Sequence, residues 1–141
     1  MGSLKVIPDI AISDINTDAD ALILIGGEGW SKLPEPEQNK LAAITNSFKQ
    51  ERKIIGGICA AANFLAAHGL LNDVKHSGNT LQTMQNFPAY NNAVAFQEGN
   101  QAARTQNIVT AAGTAPISFA LEVLRALAIP EERIATLKKI Q

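Results

Sequence analysis

Three short apolar runs, at residues 21–25, 54–58 and 107–110, dominate the hydrophobic pattern of this chain. Each run is continuous rather than alternating, which is typical of strands buried on both faces of a parallel sheet. A glycine-rich segment follows the first run, at residues 26–29. The pattern therefore predicts an α/β fold with a mostly parallel sheet. The glycines after the first strand indicate either a close approach of the backbone to a ligand or a second loop, or a flexible turn.

Helical spacing of apolar residues accounts for much of the remaining chain. Leu41, Ile44 and Phe48 recur on one helical face, with acidic residues before them and Lys49 after them. The predicted helices are residues 34–50, 60–68, 117–127 and 131–140. Thr114 is predicted to cap the third helix and Pro116 to lie in its first turn.

Other segments have weaker patterns. Residues 4–12 are predicted to form an edge strand or a strand interrupted at Pro8. Residues 93–97 are a further strand candidate, joined to the strand at 107–110 by a hairpin or a short crossover. Residues 74–79 are too short and polar for a full strand, and residues 80–92 are predicted to hold at most a short helix.

Composition narrows the class of protein. The 141 residues predict a single domain, and a net charge of −1 without a basic stripe makes nucleic acid and membrane surfaces poor partners. One cysteine excludes an internal disulfide, and two separated histidines form no metal-binding pattern. We therefore predict no metal, no cofactor and, since the chain begins with no signal-peptide pattern, a cytoplasmic location.

Cys59 is the main candidate for chemistry. It lies between the run at 54–58 and the predicted helix at 60–68, where the helix amino terminus and the Ala60 amide favour thiolate over thiol. Gly57 and Ala61 supply the small neighbours that a nucleophile on a tight turn requires. The alternative is a small buried cysteine in an alanine-rich turn. This stretch taken by itself leaves the two interpretations evenly balanced.

Several glycine-containing and small-residue segments occur in a characteristic order along the chain. They are Ile25-Gly26-Gly27, Gly57-Ile58-Cys59-Ala60-Ala61, Gly69-Leu70-Leu71 and Thr110-Ala111-Ala112-Gly113-Thr114-Ala115-Pro116. Together they resemble the ThiJ/PfpI family, over about residues 6–127. The resemblance implies a flavodoxin-like three-layer sandwich related to class I glutamine amidotransferases. Family members include intracellular proteases, deglycase or glyoxalase-like enzymes and stress chaperones.

The resemblance also implies roles for particular residues. Cys59 matches the family nucleophile, and the amides of Gly27 and Ala60 match the pair that forms an oxyanion hole. His76 falls where many members have a histidine that faces the cysteine, the alternative being a surface histidine in a loop. His68, at the end of the predicted helix, is expected to interact favourably with the helix carboxyl terminus.

One departure from the family pattern bears on assembly. Family members usually begin with a strand, helix and strand that this sequence lacks, and that unit carries a glutamate beside the cysteine. Its first strand would pair with the run at 21–25, whose edge is otherwise open. Because open apolar edges invite pairing with another chain, we expect a homo-oligomer or association with a missing N-terminal fragment.

Two functions remain open from the sequence. The first is a cysteine-dependent hydrolase or lyase, protease-like or glyoxalase-like, in which Cys59 attacks a small-molecule or peptide substrate and His76 transfers the proton. The second is a non-catalytic protein of the same family that responds to stress or redox change through oxidation of Cys59. A base within hydrogen-bond reach of the sulfur would favour the enzyme.

Overall fold

A computed structural model describes residues 5–138, which form a sheet with helices on both faces. The strands of this part of the chain are β1 Ala21–Leu24, β2 Ile54–Ile58, β3 Ala103–Thr105 and β4 Ile108–Ala111. Its α-helices are α1 Glu35–Gln50, α2 Ala60–Ala67, α3 Leu81–Gln85, α4 Pro116–Ala126 and α5 Glu131–Lys138. Short 3-10 helices lie at Ile12–Asp14, Glu28–Lys32 and Ala93–Ala95.

The strand order is β1-β2-β4-β3, and the first three strands in this order run parallel. The register pairs Leu24 of β1 with Gly57 of β2, and Ile58 of β2 with Ala111 of β4. The carboxyl ends of three strands therefore meet at one edge of the sheet. The predicted parallel arrangement of the three apolar runs is confirmed.

Helices cover the two faces of the sheet and give it three layers. On one face, Ile55 and Ile108 pack in a core with Leu41 of α1 and Leu65 of α2. On the other face, the side chain of Phe119 from α4 packs with a smaller group of strand residues, which are Ile23, Ile58, Val109 and Ala111. This arrangement confirms the predicted three-layer α/β sandwich.

Two glycines in β2 let helices from both faces approach the central strand. A Cβ atom at Gly56 would lie 2.9 Å from the ring of Phe119 in α4. A Cβ atom at Gly57 would lie 2.6 Å from Leu65 Cδ1 in α2. The absence of side chains at these positions is therefore a packing requirement of the helices on either side.

Strand β1 is less buried than its sequence predicts. The run at 21–25 was expected to be buried on both faces, but in β1 only Leu24 is buried and Ile25, just beyond the strand, is 64% exposed. The reason is its place in the sheet, because among the described residues β1 pairs with β2 alone.

Two predicted strands are wrong. Residues 5–11 form no strand. The apolar side chains Val6 and Ile7 are 74% and 90% exposed, which shows that they do not pack against the sheet. Residue 4 lies outside the described part.

Residues 93–97 contain a 3-10 helix instead of a strand, and Val94 is 95% exposed. The hairpin partner of β4 is β3, which follows the predicted segment and turns at Gln106 with a φ of 54°.

The helices agree with the sequence except at one cap. The predicted helices at 34–50 and 60–68 are confirmed as α1 and α2, and Gly69 has the positive φ, 68°, expected just after a helix. Thr114 does not cap α4: the capping position is Ala115, without a side-chain hydrogen bond, and Pro116 begins the helix. The predicted last two residues of α5 lie outside the described residues. No helix of the described part is long and apolar enough to cross a bilayer.

Replacing Gly57 with valine should destabilise the fold, because the new side chain would occupy the space of Leu65. The expected loss in the free energy of unfolding is about 1–3 kcal/mol, the usual cost of overpacking a core. Urea denaturation followed by circular dichroism would measure it. Gly29→Ala is the control, since no atom lies within 4 Å of a Cβ placed there. Equal stability of the two variants would contradict this account of β2.

Candidate active site

Cys59 occupies the turn between β2 and α2, as predicted. Its backbone has φ 60° and ψ −123°, a conformation that costs a non-glycine residue about 1–3 kcal/mol. Two hydrogen bonds hold the turn: the Cys59 N–H donates to Ala111 O at 2.9 Å, and the Cys59 carbonyl accepts from Ala62 N at 3.1 Å. The strained residue is therefore tied both to β4 and to the first turn of α2.

The space around the sulfur comes from glycines on neighbouring loops. A Cβ atom at Gly26, after β1, would lie 2.6 Å from Cys59 Cβ, and one at Gly113, after β4, would lie 3.0 Å from Sγ. The sequence had suggested Gly57 as a small neighbour of the sulfur, but its close contact is with Leu65. Clearance for the thiol thus depends on the parallel strands that flank β2.

Asn79 makes the polar contact with the sulfur. Its Nδ2 lies 3.4 Å from Cys59 Sγ, and its Oδ1 accepts a hydrogen bond from the Gly113 N–H at 2.9 Å. Asn79 does not stand out in the sequence as a candidate site residue. The contact joins residues 20 positions apart, so no local periodicity could reveal it, and the only available signal was a polar residue in a loop before a short helix.

An open cleft of about 540 Å³ lies beside the sulfur. Its walls are largely apolar and include Ile25, Trp30 and Ile58, while Glu28 is the only residue besides Cys59 with an ionisable side chain among those that line it. Trp30 is held in place because its Nε1 donates to Ile25 O at 2.8 Å and its ring lies 4.8 Å from that of Phe64. The cleft therefore has a rigid apolar wall opposite a half-buried thiol.

The two amides predicted to form an oxyanion hole both belong to residues of this cleft. Gly27 and Ala60 line it together with Cys59. Neither N–H donates a hydrogen bond to any other residue of the described part of the chain. Both groups are therefore available to a ligand, and their role in catalysis stays a prediction.

His76 is placed differently from the sequence prediction. Its side chain is fully buried, with Nδ1 donating to Val74 O at 2.9 Å and Nε2 hydrogen-bonded with the Tyr90 hydroxyl at 2.7 Å. Burial lowers the pKa of His76, although the hydrogen bond with Val74 opposes this in part. Both ring nitrogens are thus occupied, and His76 neither lines the cleft nor bonds the sulfur of Cys59. It is not a surface loop histidine either.

His68 is half-buried. Its ring lies 4.6 Å from that of Phe64, and Nε2 is buried without a hydrogen-bond partner in the described residues. Burial lowers the pKa of His68, which disfavours the charged form that would interact with a helix carboxyl terminus. The structure gives that sequence expectation no support.

The residues 5–138 contain no group of three or more His, Cys, Asp or Glu side chains that could hold a metal ion. The predicted absence of a metal and of a cofactor stays a prediction. The chemistry that the site itself offers is that of one thiol, one carboxylate, two free backbone amides and one side-chain amide.

A mostly parallel sheet with a cysteine on a strained turn at its carboxyl edge defines the class of α/β proteins that carry a nucleophile elbow. The chain belongs to the DJ-1/PfpI family, whose model matches residues 1–126. This match confirms the family resemblance seen in the sequence, and the flavodoxin-like fold with it.

Particular relatives support the same assignment. The chain is 36% identical over 119 residues to the uncharacterized protease YdeA of Bacillus subtilis, covering 84% of this chain and 58% of that protein. It is 27% identical over 140 residues to the glutathione-independent glyoxalase DJR-1.2 of Caenorhabditis elegans, covering 96% and 70% of the two chains. The solved structure of the DJ-1 superfamily protein Atu0886 from Agrobacterium tumefaciens matches with a TM-score of 0.87 at 36% identity, covering 97% and 72%. The chain thus spans less than two thirds of the length of YdeA.

The two histidines predict how stability depends on pH. Because burial lowers the pKa of both His68 and His76, the folded chain binds fewer protons than the unfolded chain below about pH 6.5. Their contribution to the free energy of unfolding is therefore complete above that pH and is lost as the pH falls towards the lowered pKa values. His76→Gln, whose amide can reach the Tyr90 hydroxyl, should reduce the loss measured by urea denaturation between about pH 7.5 and 5.5.

The matched variant for this measurement is His68→Gln, which removes the other histidine. Each substitution should flatten the pH dependence in part, and the double substitution should flatten it further. A slope that stays unchanged in the double variant would show that other groups, and not the histidines, cause the dependence.

Proposed function

We propose that the protein is a cysteine-dependent enzyme that acts on small electrophilic carbonyl compounds, with Cys59 as the nucleophile. The observation that carries the proposal is the strained turn, which holds Cys59 at the wall of an apolar cleft between two unpaired amides. Strained backbone persists where the surrounding structure maintains it, and it is concentrated at functional sites.

The first chemical step follows from these groups. The Cys59 thiolate would attack the carbonyl carbon, a C–S bond would form, and the π electron pair would move to the carbonyl oxygen. The N–H groups of Gly27 and Ala60 would donate to that oxygen as its negative charge develops. In other enzymes, removing one such donor lowers kcat by a factor of about 100 to 1000.

The groups at the sulfur favour addition to an aldehyde or ketone over cleavage of a peptide. An amide leaving group must be protonated as it departs, which requires a general acid. The side chain that contacts the sulfur is the neutral amide of Asn79, and His76 has both nitrogens engaged elsewhere. Addition to a reactive carbonyl expels no leaving group and therefore needs no such acid. For a 2-oxoaldehyde, turnover then requires that the C–H proton of the thiohemiacetal move to the neighbouring carbon and that water hydrolyse the resulting thioester to restore the thiol. The carboxylate of Glu28, which lines the cleft, is the side chain that would carry that proton. The name glyoxalase, carried by the Caenorhabditis relative, agrees with this direction, and the name protease, carried by YdeA, agrees less well.

A redox role is the second candidate, and the position of His76 favours it. Without a base beside the sulfur, an accessible thiol in a pre-formed cleft can still be oxidised reversibly to sulfenic acid. The cytoplasmic location expected from the sequence would keep such a thiol reduced between exposures to oxidant. In this role the cleft would shelter the oxidised sulfur, and no substrate would be turned over.

A panel of substrates separates the two functions. Purified protein and Cys59→Ser are compared on methylglyoxal, as a small 2-oxoaldehyde, and on fluorogenic peptides. We expect methylglyoxal to be consumed by the native chain only, with activity lost at least 100-fold in Cys59→Ser, and no cleavage of peptides. His76→Gln should retain the activity of its folded fraction, because His76 does not contact the sulfur.

Three outcomes would count against the enzyme. Turnover that survives in Cys59→Ser would remove Cys59 from the reaction. Loss of activity in fully folded His76→Gln would return the proton-transfer role to His76. No turnover of any substrate, together with a peroxide-dependent mass increase of one or two oxygen atoms at Cys59, would instead support the redox role.

We further propose that the open edge of β1 binds a second copy of this chain. Beside this edge lies an apolar groove of about 590 Å³, whose lining includes Ile12, Ile25, Trp30 and Leu33. An unpaired strand edge next to an exposed apolar surface favours pairing with another strand. The copy-to-copy contact would cover Ile25, which is 64% exposed in the single chain.

Light scattering tests this association. The native chain should give a mass above the 15.0 kDa of one copy, and Ile25→Asp should shift the distribution towards that value because a charge would enter the apolar contact. Val94→Asp, at a 95% exposed position away from β1, is the control. A stable species of one copy at high concentration would contradict the proposal. A co-purified polypeptide of another mass would also contradict it, because the partner at the β1 edge would then be a different polypeptide.

A further inference from the structure

Asn79 is oriented by two hydrogen bonds that define which end of its amide faces the sulfur. The Gly113 N–H can only donate, so the Asn79 atom 2.9 Å away from it must be the oxygen Oδ1. The Nδ2 group is then the end that lies 3.4 Å from Cys59 Sγ. The side chain therefore presents a donor to the sulfur, and the assignment rests on the hydrogen-bond network.

The loop that carries Asn79 is anchored on both sides. Before it, the Ser77 N–H donates to the Thr110 hydroxyl at 2.8 Å, and Thr110 is fully buried in β4. After it, Thr80 caps α3 by accepting from Thr83 N at 3.2 Å. Since β4 pairs with β2, which carries Cys59 at its end, the anchor and the nucleophile belong to adjacent strands.

Close packing beneath the loop limits its movement further. A Cβ atom at Gly78 would lie 2.3 Å from Met84 Cε, so the backbone before Asn79 lies directly against the buried side chain of Met84. An amide group on a loop held in this way meets the sulfur without a further cost in ordering the chain. The contact has the pre-organised character that functional groups require.

We propose that Asn79 is a positioning residue that donates a hydrogen bond to the Cys59 thiolate and holds it for attack. The proposal rests on the function proposed above, because it names the group that keeps the Cys59 sulfur in the reactive thiolate form. A neutral amide suits this task, because it stabilises the negative sulfur without carrying a charge and does not take up a proton at neutral pH. The thiolate then remains free to react.

A merely structural role is the competing explanation. Asn79 could serve only to hold the Gly113 loop through Oδ1, and the distance to the sulfur would then have no chemical consequence. Asn79→Asp keeps the contact with the Gly113 loop but changes the contact with the sulfur. An aspartate keeps an oxygen for the Gly113 N–H, but it cannot donate to the sulfur once it is ionised, above about pH 4. Asn79→Ala removes both interactions.

The test is a pH titration of the ultraviolet absorbance of the thiolate, with Cys59→Ser as the blank. Loss of the donor in Asn79→Ala should move the midpoint to higher pH by about one unit, a tenfold change in the ratio of thiolate to thiol. Asn79→Asp should move it at least as far, since a carboxylate also repels the thiolate. Asn39→Asp, at an exposed position of α1, adds the same charge and should leave the midpoint unchanged.

Activity supplies the second measurement. For the substrate that the native chain turns over, kcat/KM of both Asn79 variants should be about tenfold lower than that of the native chain at pH values below the native midpoint. It should recover as the pH rises through the variant's own midpoint. A structural defect would lower activity at every pH alike. Circular dichroism identifies any variant that fails to fold. If Asn79→Ala does not fold, a native midpoint in Asn79→Asp would still overturn the proposal.

The outcomes are distinct. A native midpoint in Asn79→Ala would overturn the proposal whatever the midpoint of Asn79→Asp, because repulsion by the new carboxylate alone raises the midpoint of that variant. A native midpoint in Asn79→Asp would overturn it as well. Shifted midpoints in both variants support it. If the midpoints shift as expected but the native chain turns over no substrate, the contact with the thiolate stands and the proposed enzyme function fails.

Discussion

The positive φ of Cys59 is the constraint on which the rest of this site depends. A cysteine in that conformation would relax if the turn were free, because the strain is comparable with a large part of the stability of a small domain. It is maintained by β2, which lies between β1 and β4 and is buried along its whole length. The hydrogen bond from the Cys59 N–H to Ala111 O extends the β2–β4 pairing to the strained residue itself.

The parallel sheet then determines what can surround the sulfur. Because the strands on both sides of β2 end at the same edge, the loops after them pass on either side of Cys59. Each loop has a glycine at its nearest point, Gly26 on one side and Gly113 on the other. Any side chain at these positions would meet the cysteine, so Gly26 and Gly113 are explained by the space that Cys59 requires. The glycines inside β2 are explained by the helices that cover it.

The sequence predicted those features that depend on local patterns. Continuous apolar runs identified the parallel strands, and the change from a strand to an alanine-rich helix located Cys59 in the turn. Burial of the first run was overestimated, because the pattern of a single strand does not show whether a neighbour covers its edge. Strand β3 was missed as a separate element, since three residues next to the turn at Gln106 carry too little apolar pattern to be recognised.

The assignment of polar groups was harder to predict, because it depends on contacts between distant parts of the chain. His76 was selected because it falls where many family members have a histidine, but its neighbours come from segments whose structure the local pattern did not predict. Tyr90 lies in residues 80–92, predicted to hold at most a short helix, and Phe96 lies in residues 93–97, wrongly predicted to form a strand. Burial against two aromatic rings keeps the imidazole neutral, so the residue with the more familiar catalytic chemistry became part of the core.

Asn79 and His76 are three positions apart in a segment that is not helical, and their side chains contact different groups. Asn79 contacts the sulfur of Cys59, and His76 contacts Tyr90. The Ser77 N–H, which donates to the Thr110 hydroxyl, anchors the backbone between them on β4. The chemistry open to the site changes accordingly, from proton transfer by an imidazole to stabilisation of a thiolate by an amide.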